Sequence, residues 1–75
     1  MKGAYPSAST VRLIRERYPE GCRVMVDKMD DPHGAPEGMT GTVFLVDDIG
    51  TLHVEWDNGR VLGLVYGEDR FHKIG

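Results

Sequence analysis

Acidic residues are the most numerous side chains in this sequence that could do chemistry. Of the 75 residues, 12 are Asp or Glu and 9 are Lys or Arg, which gives a formal net charge of −3. Carboxylate oxygens suit hard cations such as Ca²⁺, but the spacing here matches no EF-hand loop. Asp side chains also stabilise turns by bonding to nearby backbone, so we expect turn formation and partner contact, without a metal site. The acids concerned are Asp27, Asp30, Asp31, Glu37, Asp47, Asp48 and Asp57.

Groups suited to acid–base or nucleophilic chemistry are scattered along the chain. His33, His53 and His72 fall in one loop and two predicted strands, without the paired spacing that holds zinc. No serine stands in a Gly-x-Ser-x-Gly turn, and no glycine-rich phosphate loop is present. The single cysteine, Cys22, is expected to be a small buried residue of the first strand. The sequence therefore predicts no catalytic residue, no metal and no cofactor, and hence no enzyme.

The composition predicts one globular domain, residues 1–75, in the cytoplasm. Hydrophobic residues make up 40% and charged residues 28%, which is too apolar for a disordered tail and too polar for a membrane span. No apolar run approaches the roughly 20 residues of a transmembrane helix, and the loose N-terminus at 1–6 lacks a signal-peptide core. A single cysteine cannot form an internal disulfide, which fits a reducing compartment.

One helix and five short strands must position these residues. A helix is predicted over 9–18, because serine and threonine caps precede an apolar stripe and Pro19 follows it. From residue 22 the apolar period changes to two, which indicates strands, and 29–38 is predicted to be a long loop. The helical stripe consists of Val11, Leu13, Ile14 and Tyr18. The predicted strands cover 22–27, 42–46, 51–56, 60–64 and 71–74.

These elements predict a mainly β fold, a small five-stranded SH3-like barrel over 22–74 with one N-terminal α-helix. Closure is expected because a flat sheet of this size would expose two edges. Asp57-Asn58-Gly59 is a strong signal for a tight hairpin. Phe44 is expected to pack under the helix; in the alternative, it lies at the rim with Tyr66 and receives a peptide or a basic side chain of a partner. The predicted core is Ile14, Tyr18, Cys22, Val24, Val26, Val43, Leu52, Val54, Trp56, Leu62 and Leu64.

Several segments resemble known families. Gly21-x-x-Val24, followed by Gly38-x-x-Gly41-x-Val43, resembles KOW modules of ribosomal proteins and transcription factors. Residues 54–59 with Tyr66-Gly67 and Asp69 are similar to the peptide-binding MIB/HERC2 modules of ubiquitin ligases. Over residues 18–74 the chain more closely resembles the domain of unknown function 4314 family of small bacterial and phage proteins. The segments that carry this resemblance are Tyr18-Pro19-x-Gly21-x-Arg23-Val24, Met29-Asp30-Asp31-Pro32, Pro36-x-Gly38, Gly41-Thr42-Val43, Val46-Asp47-Asp48-Ile49-Gly50 and Val54-x-Trp56-Asp57-Asn58-Gly59. The resemblance implies a bacterial, phage or mobile-element origin and brings no activity.

The function predicted from these features is that of a non-enzymatic binding or accessory protein, encoded by a phage or mobile element, with a protein or peptide partner. The long acidic loop, the Asp47–Asp48 turn and an aromatic rim are expected to edge the binding surface, for a partner that presents basic or N-terminal amine groups. The predicted partner-binding residues are Asp30, Asp31, His33, Glu37, Asp47, Asp48 and Tyr66.

Two alternatives stay open at this point. A KOW-like nucleic-acid module would use Arg12, Arg15 and Arg17 on the helix, although the net acidity argues against broad electrostatic binding and the helix dipole also favours arginines at this end. A phage counter-defence protein would block or sequester a host component. No membrane partner is expected, and the sequence leaves the oligomeric state open.

Overall fold

The computed structural model describes residues 6–29 and 33–75. Each predicted element is present, with bounds that shift by one or two residues at most. The elements are α1 (Ala8–Arg17), β1 (Arg23–Lys28), β2 (Thr40–Val46), β3 (Thr51–Trp56), β4 (Val61–Val65) and β5 (Arg70–Lys73). Residues 33–39 contain no helix or strand, as the loop prediction requires. Of the predicted loose N-terminus, only Pro6 lies among the described residues. No helix in the described ranges is long and apolar enough to cross a membrane.

Helix α1 begins and ends where the sequence provides caps. The Ser7 hydroxyl accepts a hydrogen bond from the Thr10 amide at 3.2 Å, which satisfies one of the N–H groups left open at a helix start. At the other end, the Tyr18 amide donates to the Ile14 carbonyl at 2.9 Å. The following Pro19 has no amide hydrogen, so the helix stops there.

The buried face of α1 is narrower than predicted. Val11 and Ile14 are buried against the sheet, whereas Leu13 is 44% exposed, because successive helix residues point about 100° apart. The prediction that Leu13 widens the buried stripe is therefore wrong. The helix lies close over the turn between β2 and β3: a Cβ added at Gly50, whose φ is 83°, would lie 3.1 Å from the Ile14 Cδ1 atom.

The five strands form one antiparallel sheet in the order β4-β3-β2-β1-β5. This confirms the mainly β fold with one N-terminal helix. The closure expected of a barrel is not reached in the described residues, where β4 and β5 are the two edges. At the end of β4, the turn satisfies the last residue locally, so Val65 does not extend the pairing: the Val65 amide donates to Asp69 Oδ2 at 2.9 Å, and its carbonyl accepts from the Glu68 and Asp69 amides.

The core is formed by the inner face of the sheet, and Ile14 of α1 and Ala35 of the loop before β2 belong to the same cluster. Nine of the eleven predicted core residues are buried; Tyr18 and Leu62 are partly buried at its margin. Trp56 is the largest fully buried side chain, at 1% exposure, as its phase with Leu52 and Val54 predicts. The buried residues are Val11, Ile14, Cys22, Val24, Val26, Ala35, Val43, Val46, Leu52, Val54, Trp56 and Leu64.

Candidate functional site

Strand β2 carries a bulge that turns two large apolar side chains outward. Its register with β3 passes from Val43↔Val54 to Leu45↔His53, which leaves Phe44 as the extra residue. Phe44 is 41% exposed and Leu45 50% exposed, whereas regular alternation would bury one of the two. The prediction that Phe44 packs under the helix is therefore wrong, because the bulge redirects its side chain to the surface.

A groove of about 310 Å³ lies between this bulge and the end of α1. This volume is at the lower end of the roughly 300–1,000 Å³ range of ligand pockets. The bulged strand contributes Phe44, Leu45 and Val46, and the helix end contributes Arg15, Tyr18, Pro19 and Glu20. The groove therefore combines apolar and aromatic side chains with one cation and one carboxylate.

Arg15 joins the helix to the turn after β2. Its Nε donates to the Val46 carbonyl at 3.2 Å, and its Nη2 donates to Asp48 Oδ1 at 3.0 Å. The pair is open to solvent, since the Arg15 side chain is 48% exposed and the Asp48 side chain fully exposed, so it contributes little to stability. A predicted phosphate-contacting arginine and a predicted partner-binding acid thus contact each other. Arg12 and Arg17 are exposed on α1.

The second acid of this turn, Asp47, serves its own hairpin. It accepts hydrogen bonds from the Ile49 and Thr51 amides at 3.1 and 2.9 Å and lies 2.8 Å from His53 Nε2. Burial would raise the pKa of the Asp47 carboxyl, but the hydrogen bonds from His53, Thr51 and Ile49 outweigh burial and lower it. Asp47 therefore holds the turn that presents Asp48.

The other predicted partner-binding residues divide between two places. Tyr66 packs on Tyr18, a groove residue, with ring centroids 6.4 Å apart. His33 and Glu37 lie in the loop before β2, where Arg60 donates to the His33 carbonyl at 3.3 Å. The turn with Asp48 follows β2, and a seven-residue strand rises about 20 Å. The predicted partner-binding residues therefore do not form one surface, because the length of β2 separates His33 and Glu37 from Asp48. Asp30 and Asp31 lie outside the described residues.

A polar cluster on the outer face of the sheet was not predicted as a site. Arg23 contacts Asp57 through both guanidinium nitrogens, Nη1 to Oδ1 at 2.8 Å and Nη2 to Oδ2 at 2.7 Å. Arg23 Nη1 also donates to Thr42 Oγ1 at 3.0 Å, and the Thr40 hydroxyl donates to Asp57. These bonds join β1, β2 and the β3–β4 hairpin. Hydrogen bonds from Arg23 and then Thr40 hold the pKa of Asp57 well below its usual range.

We expect Asp57 to make folding stability dependent on acid pH. Because its folded pKa lies below the unfolded value of 3.8, its contribution is present above that value and is lost as the pH falls through the folded pKa. Asp57→Asn should lower the free energy of unfolding at pH 7 and flatten its decline below pH 4. Urea unfolding followed across this range measures both effects.

Asp48→Asn is the matched control for that experiment, because it makes the same chemical change at a fully exposed side chain. It should lower the free energy of unfolding at pH 7 less than Asp57→Asn does, because Asp48 accepts one side-chain hydrogen bond and Asp57 accepts three. An identical pH profile for wild type and Asp57→Asn would contradict the assigned role of Asp57.

The remaining histidines and the cysteine lie apart from the groove. Within residues 6–29 and 33–75, no three His, Cys, Asp or Glu side chains converge in a way that could hold a metal ion. His72 lies 2.9 Å from Asp27 on the outer face of the sheet. The buried thiol of Cys22 has a raised pKa because burial disfavours the thiolate.

Comparison with known proteins gives a family and several similar structures, among them two of Pif1. The family model Domain of unknown function (DUF4314) matches residues 3–74. Unliganded Pif1 from Bacteroides sp is 36% identical over 59% of this chain, with a TM-score of 0.51, and the match covers 14% of the Pif1 chain. Bacteroides sp Pif1 in complex with ADP-AlF4 is 28% identical over 73% of this chain, again with a TM-score of 0.51, and the match covers 15% of that chain. The search of curated proteins found no match.

The family match and the earlier resemblance agree. The matched residues, 3–74, include every helix and strand described above. Within the described ranges, the segments that carried the resemblance in the sequence lie at β1, in the loop before β2, on β2 with the turn that follows it, and on the β3–β4 hairpin. This chain therefore belongs to the DUF4314 family.

Proposed function

We propose that this chain is a non-enzymatic binding module that takes a peptide segment of a protein partner into the groove beside α1. The bulge in β2 is the observation that carries the proposal. Exposing Phe44 and Leu45 side by side forgoes the hydrophobic stabilisation that burial of either would provide. Folding alone does not require this arrangement, and bulges often re-aim side chains beside functional sites.

The charges at the rim favour a basic partner. Glu20 is exposed and lines the groove, and the fully exposed Asp48 lies at its Arg15 end. An apolar side chain of the partner packs against Phe44, Leu45 and Tyr18, while an adjacent lysine, arginine or N-terminal amine binds the carboxylates. Charge complementarity of this kind fixes orientation and speeds association more than it adds affinity.

The proposal changes the surface predicted from the sequence. Asp48 stays at the rim, Asp47 holds the turn, and Tyr66 supports the ring of Tyr18. His33 and Glu37 are left out, because β2 separates them from the groove. The alternative of a nucleic-acid module has less support, since Arg15 already bonds to Asp48 and the Val46 carbonyl.

We further propose that the module acts in the cytoplasm of a bacterial or phage-infected cell, as a product of a phage or mobile element. The family resemblance and the single buried cysteine support this placement. A counter-defence protein would use the same groove to block a host protein.

A defined peptide array tests the groove. The peptides carry one Phe or Leu flanked by Lys or Arg, and a matched set carries Asp or Glu in the flanks. We expect the basic set to bind, with amide chemical-shift changes at Phe44, Leu45, Tyr18 and Glu20 in NMR spectra of the whole chain. Binding confined to the acidic set, or shifts confined to another face, would contradict the proposal.

Phe44→Ser is the variant that separates binding from folding. We expect it to weaken the best peptide by about 30-fold, because a central aromatic anchor typically contributes about 2 kcal/mol to binding. Val61→Ser is the matched control, because Val61 is an exposed apolar residue on another strand, at 56% exposure. It should leave the affinity unchanged. Equal losses in both variants would place the binding site elsewhere.

A further inference from the structure

The two edges of the sheet differ in chemistry. Strand β5 has the sequence RFHK, and charged side chains of this kind protect an edge from pairing with another chain. Strand β4 has the sequence VLGLV, without a charged residue or a proline. Among the described residues, β4 pairs with β3 alone. It therefore presents an unprotected edge.

The register shows which backbone groups this edge offers. The Trp56 amide donates to the Arg60 carbonyl at 2.8 Å, so Arg60 faces β3. Because bonding alternates along an antiparallel pair, Leu62 also bonds to β3. Val61 and Gly63, opposite Glu55 and His53, turn their N–H and C=O groups away from the sheet.

We propose that two copies of this chain pair through their β4 edges, antiparallel, with the two-fold axis at Leu62. In this register Val61 of each copy lies opposite Gly63 of the other, and their four outward N–H groups bond to the four outward carbonyls. An axis at Gly63 would form only two such bonds. It would place Val61 opposite Val65, whose N–H and C=O are already satisfied by Glu68 and Asp69.

The side chains are also complementary to a second copy. Val61 is 56% exposed, and the residue opposite it in the pair, Gly63, has no side chain. A Cβ at Gly63 would lie 2.9 Å from Thr51 Cγ2, so the Thr51 methyl group already covers this glycine and leaves no room for a larger residue. In the pair, Val61 of the second copy lies opposite a position without a side chain that could clash with it. A large residue opposite a small one at both ends of a two-fold axis is self-complementary, as a symmetric dimer requires.

The paired strands are short, so the dimer is weak. Their contact is smaller than the roughly 1,000 Å² of a stable interface. The fraction of dimer therefore depends on protein concentration. It should be measured at millimolar concentrations, as used for NMR samples, because a weak dimer is populated only there. The inference is independent of the groove, which lies on the other side of β3.

Sedimentation equilibrium and amide exchange on the whole chain test the pairing. We expect the apparent mass to rise with concentration from one copy toward two, with exchange at Val61 and Gly63 slowing in parallel. Val61→Lys should weaken association at least about tenfold, because two like charges then meet across the axis. Val65→Lys is the matched control, since its position lies outside the paired segment.

Three outcomes would overturn the proposal. The first is a single-copy mass at every concentration. The second is equal weakening by Val61→Lys and Val65→Lys, which would reject the register. The third is loss of association in Phe44→Ser alone, which would place self-association in the groove. Peptide binding by a chain that stays monomeric would leave the proposed function intact.

Discussion

Trp56→Ala is expected to unfold this domain at room temperature. Trp56 is 1% exposed at the centre of the core, and truncation of a buried tryptophan costs about 3–5 kcal/mol through lost transfer free energy and the cavity left behind. A domain of this length rarely has more than about 3–5 kcal/mol of stability in total. Circular dichroism and urea titration should show a chain that is largely unfolded or that melts far below the wild type.

Val61→Ala is the control for that substitution. It removes apolar atoms from a side chain that is already 56% exposed, so its melting temperature should stay near the wild-type value. A wild-type melting temperature for Trp56→Ala would show that Trp56 is not in the core. The inward phase of β3 would then be wrong.

Gly41→Ala is expected to destabilise the protein by about 3 kcal/mol or more, although it adds one methyl group. A Cβ at this position would lie 2.7 Å from Trp56 Cε3, 2.7 Å from Val54 Cγ1 and 2.8 Å from the Glu55 carbonyl oxygen. Real Cβ atoms do not approach this closely, and the Glu55 backbone cannot move without shifting the β2–β3 pairing. Overpacking typically costs 1–3 kcal/mol and occasionally more. Urea unfolding measures the loss.

Gly67→Ala is the control that distinguishes the cost of close packing from the cost of backbone strain. Gly67 has a φ of 92° with no atom within 4 Å of an added Cβ, so an alanine there is strained by about 1–2 kcal/mol without any clash. Gly41 has ordinary backbone angles and tight surroundings, so Gly41→Ala should be the more damaging of the two. The opposite order would mean that β2 can move away from Trp56 at low cost.

The local elements followed from the sequence because their signals are local. The Ser7 cap and Pro19 bound the helix, and the alternation of Leu52, Val54 and Trp56 gives β3 its buried face. Asp57-Asn58-Gly59 forms the predicted hairpin, in which the Gly59 amide donates to the Trp56 carbonyl at 2.9 Å. Each of these sequence signals lies within a few residues of the helix end, strand face or turn that it predicts. The prediction therefore needs no knowledge of long-range contacts.

The candidate site depended on tertiary structure. Phe44 and Leu45 stand in an unbroken apolar run, 42–46, and nothing in that run marks the extra residue that turns both side chains outward. The bulge exists because of the register between β2 and β3, which two strands decide together.

The ion pairs show the same dependence. Arg15 meets Asp48 33 residues away, and Arg23 meets Asp57 34 residues away. The length of a strand also decides how far apart two loops lie. His33 and Asp48 are both predicted from the sequence to bind the partner, but β2 runs between their loops and separates them. The distance between two such residues depends on how the strands pair and on how long each strand is. The types of the two residues do not determine either of these.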